Sequence, residues 1–129
     1  MIVLDTHIWF WWINKDHQNL SDSRHAQIEN AERVAVSAIS CFEMAWLVRH
    51  QRIQLSCELT EWFEKALTDS GVELISITPN IAMRAVNLYE HHSDPQDRII
   101  IASAIEHNAS LMSDDGKFPL YSELTGKLL

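Results

Sequence analysis

Short runs rich in β-branched residues alternate along this chain with longer segments of helical periodicity. The strand-like runs are residues 1–4, 33–38, 72–77 and 109–113. At least one predicted helix separates each run from the next, so the strands are not joined as hairpins. Strands connected through helices pair in parallel, with helices packed on both faces of the sheet. The pattern therefore predicts an α/β fold built on a parallel sheet.

The predicted helices span residues 7–14, 21–31, 40–51, 59–70, 79–90 and 95–108. Local signals mark several of their ends. Ser40 and Glu43 have the spacing of a capping box, which predicts a helix that begins at Ser40. Asp94 precedes Pro95 and is a candidate N-cap. Gly71 follows the fourth helix, where a chain commonly turns out of a helix.

A chain of 129 residues, 47% of them apolar, fits a single domain covering residues 1–129 with a real core. No apolar run approaches the roughly 18 residues of a membrane span. The first residues carry no basic segment, so we expect no secretory signal and a cytoplasmic protein. Cys41 and Cys57 are expected to be free thiols. The net charge of −8 argues against a broad basic surface for nucleic acid, but it is compatible with a carboxylate-lined metal site.

Four acidic residues fall where the predicted topology brings chain ends together. Asp5 ends the first strand and Asp115 follows the last one, whereas Glu43 and Asp97 lie early in predicted helices. Ligands of open parallel sheets bind beyond the carboxyl ends of the strands. We therefore expect these four carboxylates to meet at one edge of the sheet.

Carboxylates from separate segments suit a hard cation such as Mg²⁺, which prefers oxygen ligands. Such an ion can activate water and neutralise charge on a phosphoryl group. Most of the acids also have a structural explanation. Glu43 could serve only the capping box, Asp97 only the helix dipole, and Asp115 only a turn before Gly116. Asp5 has the fewest structural reasons to be there, since it separates an apolar strand from an apolar helix.

Four segments of the chain carry the four candidate acids at motif-like spacing. They are residues 1–7 (MIVLDTH), 37–46 (SAISCFEMAW), 94–102 (DPQDRIIIA) and 111–115 (LMSDD) with Phe118. These segments resemble the motifs of PIN-domain ribonucleases, and the third resembles their VapC-like toxin branch. They occur in the family's order and cover nearly the whole chain. Ser113 stands where the last motif usually has Thr, and Gln51 stands where the family often has Gly.

The resemblance implies a three-layer PIN-like fold whose parallel sheet has about five strands. It implies a metal-dependent endoribonuclease, the toxin of a type II toxin–antitoxin pair, with Mg²⁺ or Mn²⁺ as cofactor. RNA would be the substrate, a small antitoxin the partner, and a homodimer the assembly. The catalytic and metal-binding residues would be Asp5, Glu43, Asp97 and Asp115.

Two other classes of protein are compatible with part of this pattern. A receiver-like Mg²⁺-binding signalling domain also gathers carboxylates at strand ends, but it has paired acids where this chain has Thr6 and His7 after Asp5. A non-catalytic interaction module is disfavoured because all four acids are present. Fold analogy alone would not decide between these functions.

Several further residues have more than one possible role. Thr6 could bond a site carboxylate or cap a helix, and Arg98 could face the site or pair with Asp94. His91 and His92 were expected to be solvated surface residues. Arg49 and Arg52 are candidates for a local basic patch that contacts RNA. The indoles of the first helix could pack in the core, meet a partner or stack on bases; they are Trp9, Trp11 and Trp12.

Overall fold

A computed structural model describes all residues, 1–129. Its sheet has four strands, all parallel, in the order β3-β2-β1-β4. A single parallel bridge joins Leu111 to Leu128 outside these strands. The expectation of an α/β fold with a parallel sheet of about five strands is confirmed. The strands are β1 (Ile2–Leu4), β2 (Val34–Ser37), β3 (Val72–Ile75) and β4 (Ser110–Met112).

Six α-helices accompany the sheet, and all of them end earlier than their sequence patterns predicted. Each predicted end falls on or just beyond the C-cap residue, where the backbone has already left the helix. The apolar side chains of Ile81 and Ala85 on the fifth helix, and of its C-cap Leu88, are buried. The helices are α1 (Thr6–Ile13), α2 (Asp22–Glu29), α3 (Ala38–Arg49), α4 (Leu59–Ala66), α5 (Pro79–Asn87) and α6 (Pro95–Glu106).

The start of α3 differs from the predicted one, and the capping box is wrong. Ser37 is the N-cap, and its hydroxyl accepts a hydrogen bond from the Ile39 N–H at 3.2 Å. Strand β2 runs directly into the helix at this residue, so Ser37 is the first side chain that can reach the free amides. Glu43 therefore lies beyond the first turn, and capping does not explain it.

The core consists of two apolar clusters, one on each face of the sheet. Because successive strand residues point to opposite faces, Val3 belongs to the cluster under α5 and α6, whereas Leu4 belongs to the cluster under α1, α2 and α4. Trp9 is fully buried in the second cluster, with its ring centroid 4.9 Å from that of Trp62. Core packing therefore explains Trp9, while Trp11 and Trp12 are half-buried.

The turn after α3 keeps its geometry although it lacks glycine. Gln51 takes a left-handed conformation with φ 56°. Its N–H donates to the Val48 carbonyl at 3.1 Å, and the Arg52 N–H donates to the Leu47 carbonyl at 2.9 Å. These two bonds are those of a Schellman motif, in which glycine usually occupies the position of Gln51. No helix of the chain combines the length and apolar character that a membrane crossing requires.

Candidate active site

Asp5 lies at the junction of β1 and α1, where the chain leaves the centre of the sheet. Its carboxylate caps the helix, with Oδ1 accepting a hydrogen bond from the Thr6 N–H at 2.8 Å. Oδ2 accepts a bond from the Ser113 hydroxyl at 2.7 Å. The two bonds fix the carboxylate between the ends of β1 and β4.

Glu43 reaches the same region from α3. The buried Thr6 hydroxyl lies 3.0 Å from Glu43 Oε1, to which it donates, and 2.9 Å from the Ser40 hydroxyl. Of the two roles considered for Thr6, the structure supports contact with a site carboxylate, because Asp5 provides the cap. Ser40, predicted to cap a helix, instead supports Thr6.

Asp97 and Asp115 come together at the N-terminus of α6. His92 Nε2 lies 3.0 Å from Asp97 Oδ2 and 2.9 Å from Asp115 Oδ2. Asp115 Oδ1 accepts the Lys117 N–H at 2.8 Å, which closes the turn that the sequence predicted. Asp94 is the N-cap of α6, as expected, and its side chain accepts the Gln96 N–H at 2.9 Å.

One cleft of about 330 Å³ contains all four carboxylates predicted as site residues. The cleft opens at the carboxyl edge of the sheet, where ligands of this architecture bind. No Lys or Arg lines it, so the carboxylates face one another without a cation. Its lining consists of Asp5, Glu43, Asp97 and Asp115 together with His7, Ile8, Trp11 and Asp114.

The pKa values of three of these acids are raised above their ordinary values. Burial, followed by the negative charges of Asp5 and Asp94, raises the pKa of Asp97 to about 7. Burial also raises the pKa of Asp5 and that of Glu43, although hydrogen bonds from Ser113 and Thr6 offset part of the effect. Negative charge is therefore under-compensated in the cleft, and a bound cation would relieve it.

Asp115 behaves differently from the other three acids. Burial alone would raise the pKa of Asp115, but hydrogen bonds from His92 and the Lys117 N–H outweigh it, so the pKa is lowered. Asp115 is thus the acid of this cleft that is most readily charged. Perturbed carboxylates that share one cleft are typical of functional sites.

His92 and Arg98 are both buried, in positions that differ from those the sequence predicted. His92 was expected on the surface, but it is buried behind the carboxylates, while His91 is half-buried and packs edge-on against Tyr121. The only sequence signal for His92 is its position two residues before the N-cap Asp94.

Arg98 neither faces the cleft nor pairs with Asp94, so both alternatives for it are wrong. It is buried, and its guanidinium donates to five backbone carbonyls at 2.6–3.2 Å. These hydrogen bonds satisfy carbonyl groups at the C-terminal end of α5 and in the loop before α6. The five acceptors are the carbonyls of Ala85, Val86, Leu88, Tyr89 and His92.

The loop that carries Asp115 is also held from α2, which the sequence did not indicate. Arg24 forms an ion pair with Asp114 and donates to the Ser113 carbonyl at 3.3 Å. The candidate basic residues Arg49 and Arg52 are exposed, and the Arg52 guanidinium lies 5.9 Å from the centroid of Trp46.

Comparison with known proteins identifies the family to which the chain belongs. The family model described as the PIN domain matches residues 2–124. Ribonuclease VapC22 of Mycobacterium tuberculosis (strain ATCC 25618 / H37Rv) is 40% identical over 115 residues, which cover 88% of this chain and 86% of that protein.

Solved structures with the same fold cover the entire chain. VapBC2 from Rickettsia felis, bound to a DNA fragment from its promoter, superposes with a TM-score of 0.69 at 22% identity over 98% of that chain. A toxin–antitoxin complex from Klebsiella pneumoniae gives 0.66 at 20% identity over 96% of its chain. FitAB bound to an IR36 DNA fragment gives 0.68 at 17% identity over 94% of its chain. At these identities the likeness concerns the fold.

Proposed function

Because this chain belongs to the PIN-domain family, we propose that it is a metal-dependent endoribonuclease that acts as the toxin of a type II toxin–antitoxin pair. The observation that carries the proposal is the cleft in which Asp5, Glu43, Asp97 and Asp115 meet. These four are the proposed catalytic and metal-binding residues. A relative with 40% identity that is named a ribonuclease supports the same activity.

The residues of the cleft fit a hard cation. All four supply carboxylate oxygens, and the raised pKa values of three of them indicate negative charge that lacks a partner. These are the ligands that Mg²⁺ and Mn²⁺ take in proteins. When bound, such an ion would neutralise phosphate charge and make water a stronger nucleophile.

The chain's own residues position this chemistry. Thr6 and Ser113 hold Glu43 and Asp5 by hydrogen bonds, so these carboxylates are oriented before any ligand arrives. In the metal-free protein Asp97 has a pKa of about 7, so a cation that binds its carboxylate would displace a proton near neutral pH. Exposed Arg49 and Arg52 are the proposed contacts for RNA phosphates.

The proposal extends to partners and location. Structural neighbours described as toxin–antitoxin complexes support a small antitoxin as the cognate partner. Large apolar side chains exposed on α3 and α5, such as Phe42 at 58% and Val86 at 77%, support a homodimer, since both helices flank α6. The proposed compartment is the cytoplasm, where RNA substrates are available. Light scattering of the purified chain measures the dimer directly.

Cleavage of single-stranded RNA by the purified chain tests the activity. We expect no cleavage in EDTA, and recovery with Mg²⁺ or Mn²⁺ but not with Ca²⁺, which takes longer and looser bonds. Asp5→Asn should abolish cleavage, whereas Asp69→Asn, which removes an exposed acid outside the cleft, should not. Induced expression should arrest growth for the parent and for Asp69→Asn, but not for Asp5→Asn. Cleavage that persists in EDTA, or in Asp5→Asn at equal soluble level, contradicts the proposal.

A further inference from the structure

We propose that His92 is a positioning residue that clamps Asp97 and Asp115 through its Nε2–H and does not ligate the metal. The inference rests on the proposed function, whose metal site it deepens. His92, Asp97 and Asp115 offer ligand atoms within 4.8 Å of one another, so by distance alone they could form a metal site. The hydrogen bonds of the ring distinguish a clamp from a ligand.

The Nδ1 atom of His92 is an acceptor. It lies 3.3 Å from the backbone nitrogen of Asp94, which carries a hydrogen and can only donate. The ring must therefore present its lone pair at Nδ1, and its proton is on Nε2. That proton points to the two carboxylate oxygens at 2.9 and 3.0 Å.

A metal bound at Nε2 would need the opposite tautomer. The proton would then move to Nδ1, where it would face the Asp94 N–H, and two donors would oppose each other with no acceptor between them. Such an arrangement would lose the hydrogen bond that the Asp94 N–H makes to Nδ1 and would place two donors against each other. The arrangement around Asp94 therefore selects a donor at Nε2.

The backbone of His92 is fixed on both sides, so the ring cannot easily turn. Its N–H donates to the Tyr121 hydroxyl at 3.0 Å, and its carbonyl accepts from Arg98 at 3.0 Å. His92 does not line the acidic cleft; it borders a separate pocket formed by α5, α6 and the loop between them. The clamp thus acts from behind, and the cleft side of both carboxylates stays available to a cation.

The clamp offsets a repulsion. Asp97 and Asp115 share the Nε2–H donor, and without it the two carboxylates would move apart, because like charges a few ångströms apart repel each other. Residues that orient metal ligands commonly change metal affinity about 10–100-fold when removed. We expect a loss in this range when the Nε2 donor is lost.

Two variants isolate the donor. His92→Asn keeps an acceptor near the position of Nδ1 and has no donor at Nε2. His92→Gln carries an amide N–H to the position of Nε2. Titration with Mn²⁺ alone, followed by electron paramagnetic resonance, should show affinity about 10–100-fold weaker for His92→Asn and largely restored for His92→Gln. Equal affinity in the parent and both variants, or equal loss in both variants, overturns the clamp.

Nitrogen NMR of the metal-free parent gives a readout that needs no variant. We expect a protonated Nε2 and an unprotonated Nδ1 for His92; the reverse pattern overturns the proposal. Both measurements are independent of RNA cleavage. If they come out as expected and the chain cleaves no RNA, the ribonuclease function fails while the clamp stands.

Discussion

The hydroxyl of Ser113, at the end of β4, donates a 2.7 Å hydrogen bond to Asp5, at the end of β1. The same oxygen accepts the Asp115 N–H at 3.0 Å. One small side chain therefore orients the Asp5 carboxylate and holds the backbone of Asp115, a second cleft residue. Ser113 stands where the resemblance leads one to expect Thr, and the hydroxyl that makes both bonds is retained.

Replacing Ser113 by Ala should weaken metal binding about 10–100-fold, as expected for a residue that orients ligands. Loss of the bond should also raise the pKa of Asp5 further, because that bond lowers it in the parent. Isothermal titration with Mn²⁺ measures the affinity. Ser113→Thr keeps the hydroxyl and should match the parent; equal binding by the Ala variant would show that the bond has no role in the site.

Stability of the metal-free protein should fall as pH rises from about 4 to about 7. The folded-state pKa of Asp97 is about 7, against an ordinary value of 3.8, so between these values the folded state binds more protons than the unfolded state. Stability then decreases with rising pH. Asp97→Asn should flatten this slope and stabilise the protein at pH 8 by on the order of 1 kcal/mol or more.

Urea unfolding at pH 5 and pH 8 in EDTA measures this effect. Asp69→Asn is the matched control, since that acid is exposed and lies outside the cleft. A purely structural Asp97 at a helix N-terminus predicts the reverse, a loss of about 0.3–1 kcal/mol on removal of its charge.

Metal affinity should depend on pH through the same group. A cation that needs the Asp97 carboxylate displaces its proton below pH 7, so affinity should fall about tenfold per pH unit as pH is lowered. Mn²⁺ titrations between pH 5.5 and pH 8 measure the slope. A flat profile would remove Asp97 from the metal ligands.

Arg98→Met should destabilise the protein by at least about 3 kcal/mol, because five carbonyls, three of them in buried hydrogen bonds, lose their donor together. Arg98→Lys should rescue little, since an ammonium group cannot reproduce the guanidinium fork. Arg84→Met removes an exposed ion pair with Glu106 and should cost less than about 1 kcal/mol. Urea unfolding compares all three; a similar loss for Arg98→Met and Arg84→Met would contradict the assigned role.

Gln51→Gly should stabilise the protein by about 0.5–1 kcal/mol. A side chain at φ 56° carries a steric cost that glycine avoids. Gln51→Ala keeps the Cβ atom and should give no gain. The midpoint of urea unfolding, at unchanged m-value, measures the difference; a loss for the Gly variant would mean that the glutamine side chain itself stabilises the turn.

The sequence predicted where the four acids meet because strand ends are fixed by topology, and parallel strands end at one edge. Asp5 and Asp115 needed only the strand pattern to be placed there. Thr6 could be named as a candidate contact but not assigned, because its partner lies 37 residues away.

The roles of His92 and Arg98 depend on three-dimensional packing that no periodicity reports. Arg98 meets carbonyls exposed by the end of α5, and that end is defined only once α5 packs on α6. His92 looks like a surface residue in a polar loop until Tyr121 and the carboxylates close around it. The observed start of α3 differs from the predicted one for a related reason. Ser37 is both the last residue of β2 and the N-cap of the helix.

Asp5 and Ser113 are 108 positions apart, and β1 lies between β2 and β4 in the sheet. During translation, β1 therefore cannot complete its pairing with β4 until the last strand has been synthesised. A chain interrupted before β4 contains Asp5 but neither its hydroxyl partner nor Asp115. Products that end before β4 therefore lack the complete set of cleft carboxylates, and the acidic cleft can form only after the final strand has been synthesised.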